Sequence, residues 1–264
     1  KKPLADEKEA SEGAARILAV KFFFAPLMVK FLADHIFGMA NRFYLLPTPD
    51  QIFASPAAFL SAFNGGLYLL LFDVILFADV VFFTLGYLIE LPSLDNEIES
   101  ADPSLLGWVV CLLCYPPFNQ AKDAFLGWQS RDFPQFANPA VHVGVNFLIL
   151  LLMGIYASAS VALRWKASNL TNRGIVASGP YRLVRHPAYA AKNLAWWCGG
   201  IPALHRTLTS ATPGDAVFVL FSLSANSFIY YLRAVTEETH LLRGRNGYAE
   251  YASRVKHRFI PGFF

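Results

Sequence analysis

Three long apolar segments constrain the fold of this chain more than any other feature of its sequence. They cover residues 57–89, 140–163 and 214–232. A helix needs about 20 apolar residues to cross the hydrocarbon core of a bilayer, and each segment supplies about that number. The composition agrees, because 16% of the residues are charged, whereas soluble domains carry roughly 25%. The sequence therefore predicts an integral membrane protein.

Three further apolar segments are shorter or interrupted by polar residues. Residues 14–39 are typical of an amphipathic helix at the membrane surface or of a poor span. Residues 104–118 are typical of a marginal or re-entrant span. Residues 188–204 are typical of a short helix broken by glycine and proline. We therefore predict an all-α fold, a multi-pass transmembrane bundle of about five or six membrane segments. We divide it into an N-terminal part, 1–138, and a C-terminal core, 139–264.

The basic residues predict an orientation. The loop 164–192 carries six lysines and arginines and no acid, and further arginines follow in the tail, residues 233–264. Because such residues mark the cytoplasmic side of membrane proteins, both regions should lie on the positive-inside face. This holds for a bacterial inner membrane or a eukaryotic organelle membrane. Membrane lipids are the expected partners. The loop lacks the interleaved aromatic residues of a nucleic-acid binder, so no nucleic-acid partner is predicted.

The stretch "SGPYRLVRHPAY", residues 178–189, lies inside this basic loop. Pro187 cannot continue a preceding helix and disfavours helical geometry at His186, so a helix should begin just after this turn. Arg185 and His186 would then lie at the N-terminus of the helix, where free backbone N–H groups and the helix dipole attract anions. The stretch is a candidate half of a binding site.

A second polar cluster follows the last apolar segment. Glu237 and Glu238 come directly after it, and Arg233 lies one turn earlier on the same face as Glu237. Tyr248 and Tyr251 are spaced as on an amphipathic helix that would lie over a site as a cover. We expect these glutamates to balance the basic stretch. A cationic patch facing a carboxylate pair suits a zwitterionic ligand, although each cluster alone is also typical of a membrane anchor or a solvated helix end.

At these residues the sequence resembles a known family. "SGPYRLVRHPAY", "AKNLAWW", "RAVTEETHLL" and "YAEYASRV" resemble the membrane methyltransferases typified by isoprenylcysteine carboxyl methyltransferase, a group that includes phospholipid N-methyltransferases. The resemblance covers about the last hundred residues well and the first hundred poorly. The shared pattern maps to Gly179, Tyr181, Arg185, His186, Pro187, Tyr189, Glu237, Glu238, Leu241, Tyr248, Tyr251 and Val255.

The resemblance implies methyl transfer from S-adenosylmethionine to a lipid or lipidated substrate that enters from the bilayer. It implies that the C-terminal amphipathic helix covers the cofactor pocket, and that the cofactor contacts are Tyr181, Arg185, His186, Pro187, Tyr189, Glu237 and Glu238. For the chemistry, Arg233 and Arg243 are candidates to orient an anionic acceptor. Glu237 or Glu238 would accept a proton from an amine. Trp196 and Trp197, together with Tyr181 and Tyr189, are candidates to line a dry aromatic pocket.

Two other functions stay open. Sterol and steroid reductases share a loosely similar turn before the short helix and an ending like "RFIPGFF", which would imply NADPH. The acid pair favours the methyltransferase, since it would repel a 2′-phosphate. Alternatively, the chain is a non-catalytic subunit of a larger membrane complex that keeps the fold. Two features allow a non-catalytic role. The front half is irregular, and the tail motif "GRNGY" is one residue shorter than the corresponding motif of the family.

The remaining polar residues give weaker signals. Asp73 and Asp79 lie within an apolar segment, where a charge is costly, and their spacing puts them on different helix faces. Three interpretations stay open: contact with a substrate or ion, contact with side chains of other helices, or protonation to the neutral form. Cys111 and Cys114 share one face of an apolar helix and are expected to be packing residues. No spacing of histidine, cysteine or acid predicts a metal site.

Overall fold

The computed structural model describes residues 2–209, 213–244 and 246–262. Its framework is a bundle of long helices: α1 (Lys2–Leu45), α4 (Tyr68–Leu88), α7 (Pro139–Leu163), α8 (Pro187–Thr209) and α9 (Pro213–Arg243). About 75% of the structure is helical. The prediction of an all-α bundle is confirmed.

Shorter elements connect the long helices. They are α2 (Pro49–Ile52), α3 (Pro56–Ala62), α5 (Leu105–Leu112), α6 (Phe118–Leu126) and α10 (Tyr248–Arg254). Two short strands, β1 (Ser100–Ala101) and β2 (Thr171–Asn172), pair antiparallel with Ser100 opposite Asn172. This pairing joins the loop after α4 to the basic loop after α7, so the N-terminal part and the C-terminal core are in contact.

Helices α3 and α4 form one kinked rod. A π-helical turn, Phe63–Leu67, lies between them, and within it Gly66 has φ +149°. Glycine adopts such a positive φ at little cost because it has no Cβ. The apolar segment predicted over 57–89 is therefore a helix over Pro56–Leu88 that changes direction at Gly66.

The long helices pack against one another in the order in which they occur along the chain, and the short helix α5 adds a contact distant in sequence. Helix α4 contacts α1 and α7, α8 contacts α7 and α9, and α5 packs on α9. One buried core forms around Phe63, Tyr68 and Ile149. A second forms around Phe24 and Tyr87, whose rings stack with centroids 5.6 Å apart. This order brings the loops before α8 and after α9 to one end of the bundle.

By length and composition, three helices of the described chain are able to cross a membrane: Pro56–Leu88, Pro139–Lys166 and Gly214–Arg243. They correspond to the three long apolar segments, so the chain is a membrane protein by this criterion. Helices α1 and α8 are long but do not meet the same apolarity criterion, and α5 has only eight residues. The other two or three predicted membrane segments and the orientation stay predictions.

Candidate functional site

The basic stretch forms a turn that ends where α8 begins. Gly179–Arg182 is a single 3₁₀ turn, and Pro187 is the first residue of α8. The carbonyl of His186 accepts the first helical hydrogen bond, from the N–H of Ala190 at 3.1 Å. The predicted helix start after the proline turn is confirmed.

Glu238 contacts the side chains of two arginines and one histidine. One of its oxygens, Oε1, accepts from Arg185 Nε at 2.9 Å and Arg258 Nε at 3.0 Å, and lies 2.9 Å from His186 Nε2. The other, Oε2, accepts from Arg258 Nη2 at 2.8 Å. We call these four residues the Glu238 clasp. The predicted balance between the basic stretch and the glutamates is confirmed for Glu238, whereas Glu237 accepts from the Tyr189 hydroxyl and forms no ion pair with the stretch. Arg258 was missed, because an arginine in a charged tail carries no local sign of its partner.

The chain after α10 completes the clasp through its backbone. The N–H groups of Arg185 and His186 donate to the carbonyls of His257 and Arg258 at 3.0 and 2.9 Å. Arg185 Nη1 donates to the carbonyls of Val255 and Lys256. The tail is therefore hydrogen-bonded to the turn, and both are held against α9.

Helix α10 lies against the same turn. Tyr248 and Tyr251 are buried, and the Tyr251 hydroxyl donates to the carbonyl of Tyr181 at 2.9 Å. Burial raises the pKa of Tyr251 to about 12, so its hydroxyl stays protonated and acts as a donor at neutral pH. Both tyrosines line a cavity next to Tyr181. The amphipathic helix thus covers a cavity as predicted, while the identity of the ligand stays a prediction.

That cavity, here called the Glu237 cavity, has three adjoining compartments of about 60, 80 and 30 Å³. Ser168 and Glu237 line all three. Glu237 is exposed, and its Oε2 accepts from the Tyr189 hydroxyl at 2.7 Å. Its other oxygen has no hydrogen-bond partner among the described residues. Glu237 therefore presents a free acceptor to the cavity, whereas Glu238 next to it is fully engaged.

The predicted site residues separate into two groups. Lining the cavity are Tyr181, Arg185, His186, Tyr189, Arg233 and Glu237. Pro187 is buried and serves as the first residue of α8, and Glu238 lies in the clasp. Arg243 is exposed at the end of α9 and does not line this cavity.

Arg233 is buried at the centre of an aromatic cluster. Its Nη2 donates to Asn169 Oδ1 at 2.7 Å. Its guanidinium carbon lies 4.9 Å from the ring centroid of Tyr189, 5.4 Å from that of Tyr230 and 5.6 Å from that of Tyr115. Such contacts stabilise a desolvated cation. Arg233 therefore keeps a positive charge inside the cavity.

Two donor groups that line the cavity, one on Arg173 and one on Tyr248, have no hydrogen-bond partner. Arg173 is 3% exposed, and although its Nε donates to Ser168 Oγ at 3.0 Å, its Nη2 has no hydrogen-bond partner. The Tyr248 hydroxyl is buried and unpartnered in the same compartment. Burying an unpaired donor costs free energy. These orphaned donors identify this compartment as a place where a ligand with acceptor atoms fits.

The other polar residues of the apolar segments are paired. Asp79 accepts from Ser160 and, at 2.9 Å, from the Tyr156 hydroxyl on α7. Asp73 pairs with Arg42 and lies 3.1 Å from His35 Nδ1, both on α1. Contact with side chains of other helices, one of the interpretations left open, is therefore observed.

The cysteines are free, and Cys111 is buried. It packs in the core with Phe24 and Tyr87, as expected of a packing residue. Within the described ranges, no group of three or more histidine, cysteine or acidic residues is placed to hold a metal.

The fold and the site define a helical membrane protein with a polar cavity enclosed where α7, α8 and α9 meet. Residues 79–255 match the model of a family described as a protein of unknown function (DUF1295), and the chain belongs to that family. The match includes the basic turn, α8, α9 and all of α10, and therefore every predicted site residue. No curated protein matches the chain.

Proposed function

We propose that this protein is an S-adenosylmethionine-dependent membrane methyltransferase that acts on a lipid or lipidated substrate, similar to the isoprenylcysteine carboxyl methyltransferase group. The observation that carries the proposal is the pairing of unsatisfied groups in the Glu237 cavity. Arg173 and Tyr248 offer donors without acceptors, and Glu237 offers an acceptor oxygen without a donor. An amino-acid moiety, with one carboxylate and one ammonium, satisfies both sides.

The residues of the cavity fit the cofactor. Arg173 and Tyr248 would hold its carboxylate, Glu237 its ammonium or ribose hydroxyls, and the rings of Tyr181 and Tyr189 its flat or cationic parts. The cofactor supplies an activated methyl group on a sulfonium. Each compartment is smaller than such a ligand, so the side chains that separate the compartments must move apart when it binds.

An apolar groove adjoins the cavity and supports a substrate from the bilayer. It has a volume of about 180 Å³, lies between α8 and α9, and shares Tyr189 and Tyr230 with the Glu237 cavity. Trp197 and Phe259 also line it. An acyl or prenyl chain in this groove would place its polar end near Arg233, whose charge would orient an anionic nucleophile. The aromatic walls would exclude water from the reacting groups.

Cofactor binding to the purified full-length chain in detergent, measured by calorimetry, tests the proposal. We expect saturable binding of S-adenosylmethionine that Tyr248→Phe and Glu237→Gln each weaken about tenfold, or about 1.4 kcal/mol. Because the Tyr248 hydroxyl is unpaired, Tyr248→Phe should leave the melting temperature unchanged or raise it. Glu250→Gln, at an exposed position on α10, is the matched control. Absence of binding by the wild-type chain would refute the proposal and favour a non-catalytic subunit.

One observation favours the reductase as a second candidate. Lys166 and Arg173 line the same compartment, and two cations there suit a phosphate group. Thermal melts with NADPH or S-adenosylmethionine separate the two functions. A methyltransferase should be protected against thermal unfolding by S-adenosylmethionine and not by NADPH. Protection by NADPH and not by S-adenosylmethionine would support the reductase.

A further inference from the structure

A second cavity lies beside the Glu237 cavity. Its volume is about 280 Å³, and it lies between α4, α6, α7 and α8. Lys192 and Tyr230 line both cavities, so only their side chains and the neighbouring wall separate the two spaces. A ligand in the second cavity would therefore lie next to a ligand in the Glu237 cavity.

The lining of the second cavity combines apolar and charged side chains. Its apolar members include Phe72, Ile149, Met153 and Trp196. Its polar members are Asn119, Lys122, Asp123, Asp132 and Lys192. A space lined by both kinds of side chain suits the head group of an amphiphile, or a small polar molecule with an apolar portion.

The two lysines differ in whether their charge is satisfied. Lys122 donates to Asn226, lies 2.8 Å from Asp123 Oδ1 and lies over the ring of Trp128. Lys192 is half-buried and lies 5.1 Å from the ring centroid of Tyr156 and 5.3 Å from that of Trp196. No hydrogen bond or ion pair to another described residue reaches its ammonium. Asp79 and Asp132 act on this ammonium only from a distance, so a half-buried cation without a direct ion pair leaves room for an anionic partner.

Two acceptors in the same cavity also lack donors. Asn119 Oδ1 is buried without a hydrogen-bond partner, and the carboxylate of Asp132, an exposed residue, makes no hydrogen bond or ion pair with the rest of the described chain. A ligand that meets all three groups must carry an anionic oxygen for Lys192 and a donor for Asn119 and Asp132. An ammonium group is the donor that a carboxylate attracts most strongly.

We infer that the second cavity binds a zwitterionic head group, with its phosphate or carboxylate on Lys192 and its ammonium on Asp132. The inference rests on the proposed function and narrows it, because this head group would belong to a zwitterionic methyl acceptor held by Lys192 and Asp132 rather than to an anionic one oriented by Arg233. Since Lys192 is half-buried and Asp132 exposed, the anionic contact should contribute most of the affinity, and the ammonium contact most of the selectivity.

Two water-soluble probes with the same phosphodiester test the inference: glycerophosphoethanolamine, which carries an ammonium, and glycerophosphoglycerol, which does not. Binding to the full chain in detergent is followed by calorimetry and by the fluorescence of Trp128 and Trp196. We expect a preference of about threefold for the zwitterion. Lys192→Gln should weaken both probes about tenfold and Lys192→Arg should keep binding. Asp132→Asn should abolish only the preference for the zwitterion. Lys8→Gln, on the exposed part of α1, is the control.

The dihexanoyl forms of both probes identify the source of the head group. Binding at least tenfold tighter than that of the chain-free probes would support a membrane lipid, and equal binding would support a soluble zwitterion. Failure of both probe types to bind, or a Lys192→Gln protein that is correctly folded and binds normally, would overturn the inference. S-adenosylmethionine is titrated separately. Cofactor binding without head-group binding refutes only the second site, and the reverse result refutes only the proposed function.

Discussion

At the scale of single residues, the neighbouring glutamates 237 and 238 have different tasks. Glu238 is 8% exposed and has cationic partners on both carboxylate oxygens, so it holds the turn, α9 and the tail together. Glu237 accepts one hydrogen bond from Tyr189 and faces the cavity. The geometry favours Glu237 as the ligand contact, and a direct ligand contact by Glu238 stays a prediction.

Paired substitutions test this division. Glu238→Gln should lower the free energy of unfolding by about 3 kcal/mol, because it leaves Arg185, Arg258 and His186 without their common counter-charge. Glu237→Gln should change it by no more than about 0.5 kcal/mol. Chemical denaturation of both variants in detergent gives the comparison. Equal losses of stability would contradict the division.

At the scale of elements, α8 is positioned by close backbone contact as well as by its polar first turn. The N–H of Arg131 donates to the carbonyl of Gly199 at 3.3 Å. A Cβ at Gly199 would collide with the backbone carbonyl of Arg131. The missing side chain lets the loop before α7 approach α8. That loop and α8 contribute Asp132 and Lys192 to the second cavity.

Two glycine substitutions separate close packing from helix propensity. Gly199→Ala should destabilise the protein by about 1–3 kcal/mol, since the obstructing atom is backbone and cannot turn away. Gly144→Ala in α7, where nothing lies within 4 Å of the added methyl, should stabilise it by about 0.5–1 kcal/mol. Melting temperatures of the two variants are the measurement. Stabilisation by both substitutions would show that the approach at Gly199 is not close.

At the scale of the whole molecule, the tail closes the site by binding back to the start of α8. The amides of Arg185 and His186 donate to tail carbonyls, and Arg258 reaches Glu238. The chain before α8 and the chain after α10 therefore behave as one unit, although about 70 residues separate them in the sequence. Opening of the tail would uncover the Glu237 cavity on the α10 side.

Hydrogen exchange tests this closure. Arg258→Met should speed exchange at the amides of residues 185 and 186 and in α10 about tenfold, because the local opening that exposes them becomes easier. The amides of α4 and α7 should keep their protection. Arg254→Met is the control, since Arg254 is exposed and only weakly paired. Acceleration in both variants, or across all helices, would mean that the clasp does not hold the tail specifically.

The sequence predicted what depends on local pattern. The spans over 57–89 and 140–163 agree with helices at 56–88 and 139–163 to within one residue, because apolar length and proline placement are local signals. The contact between the turn and Glu238 was also predicted from the sequence, since an unbalanced charge near a membrane needs a counter-charge. The unpartnered Nη2 of Arg173 and the second cavity could not be predicted from the sequence. Whether an arginine or lysine is satisfied depends on residues distant in sequence, such as Asn96 for Arg173 and Asn226 for Lys122.

The position of Tyr230 has a thermodynamic consequence. Its ring forms part of the wall of the Glu237 cavity, the second cavity and the apolar groove. A ligand that displaces the ring from one space changes the shape of the other two. If a first ligand raises the affinity of a second by some factor, the second raises the affinity of the first by the same factor. Any cooperativity between cofactor and acceptor must therefore be mutual, whichever of the two binds first.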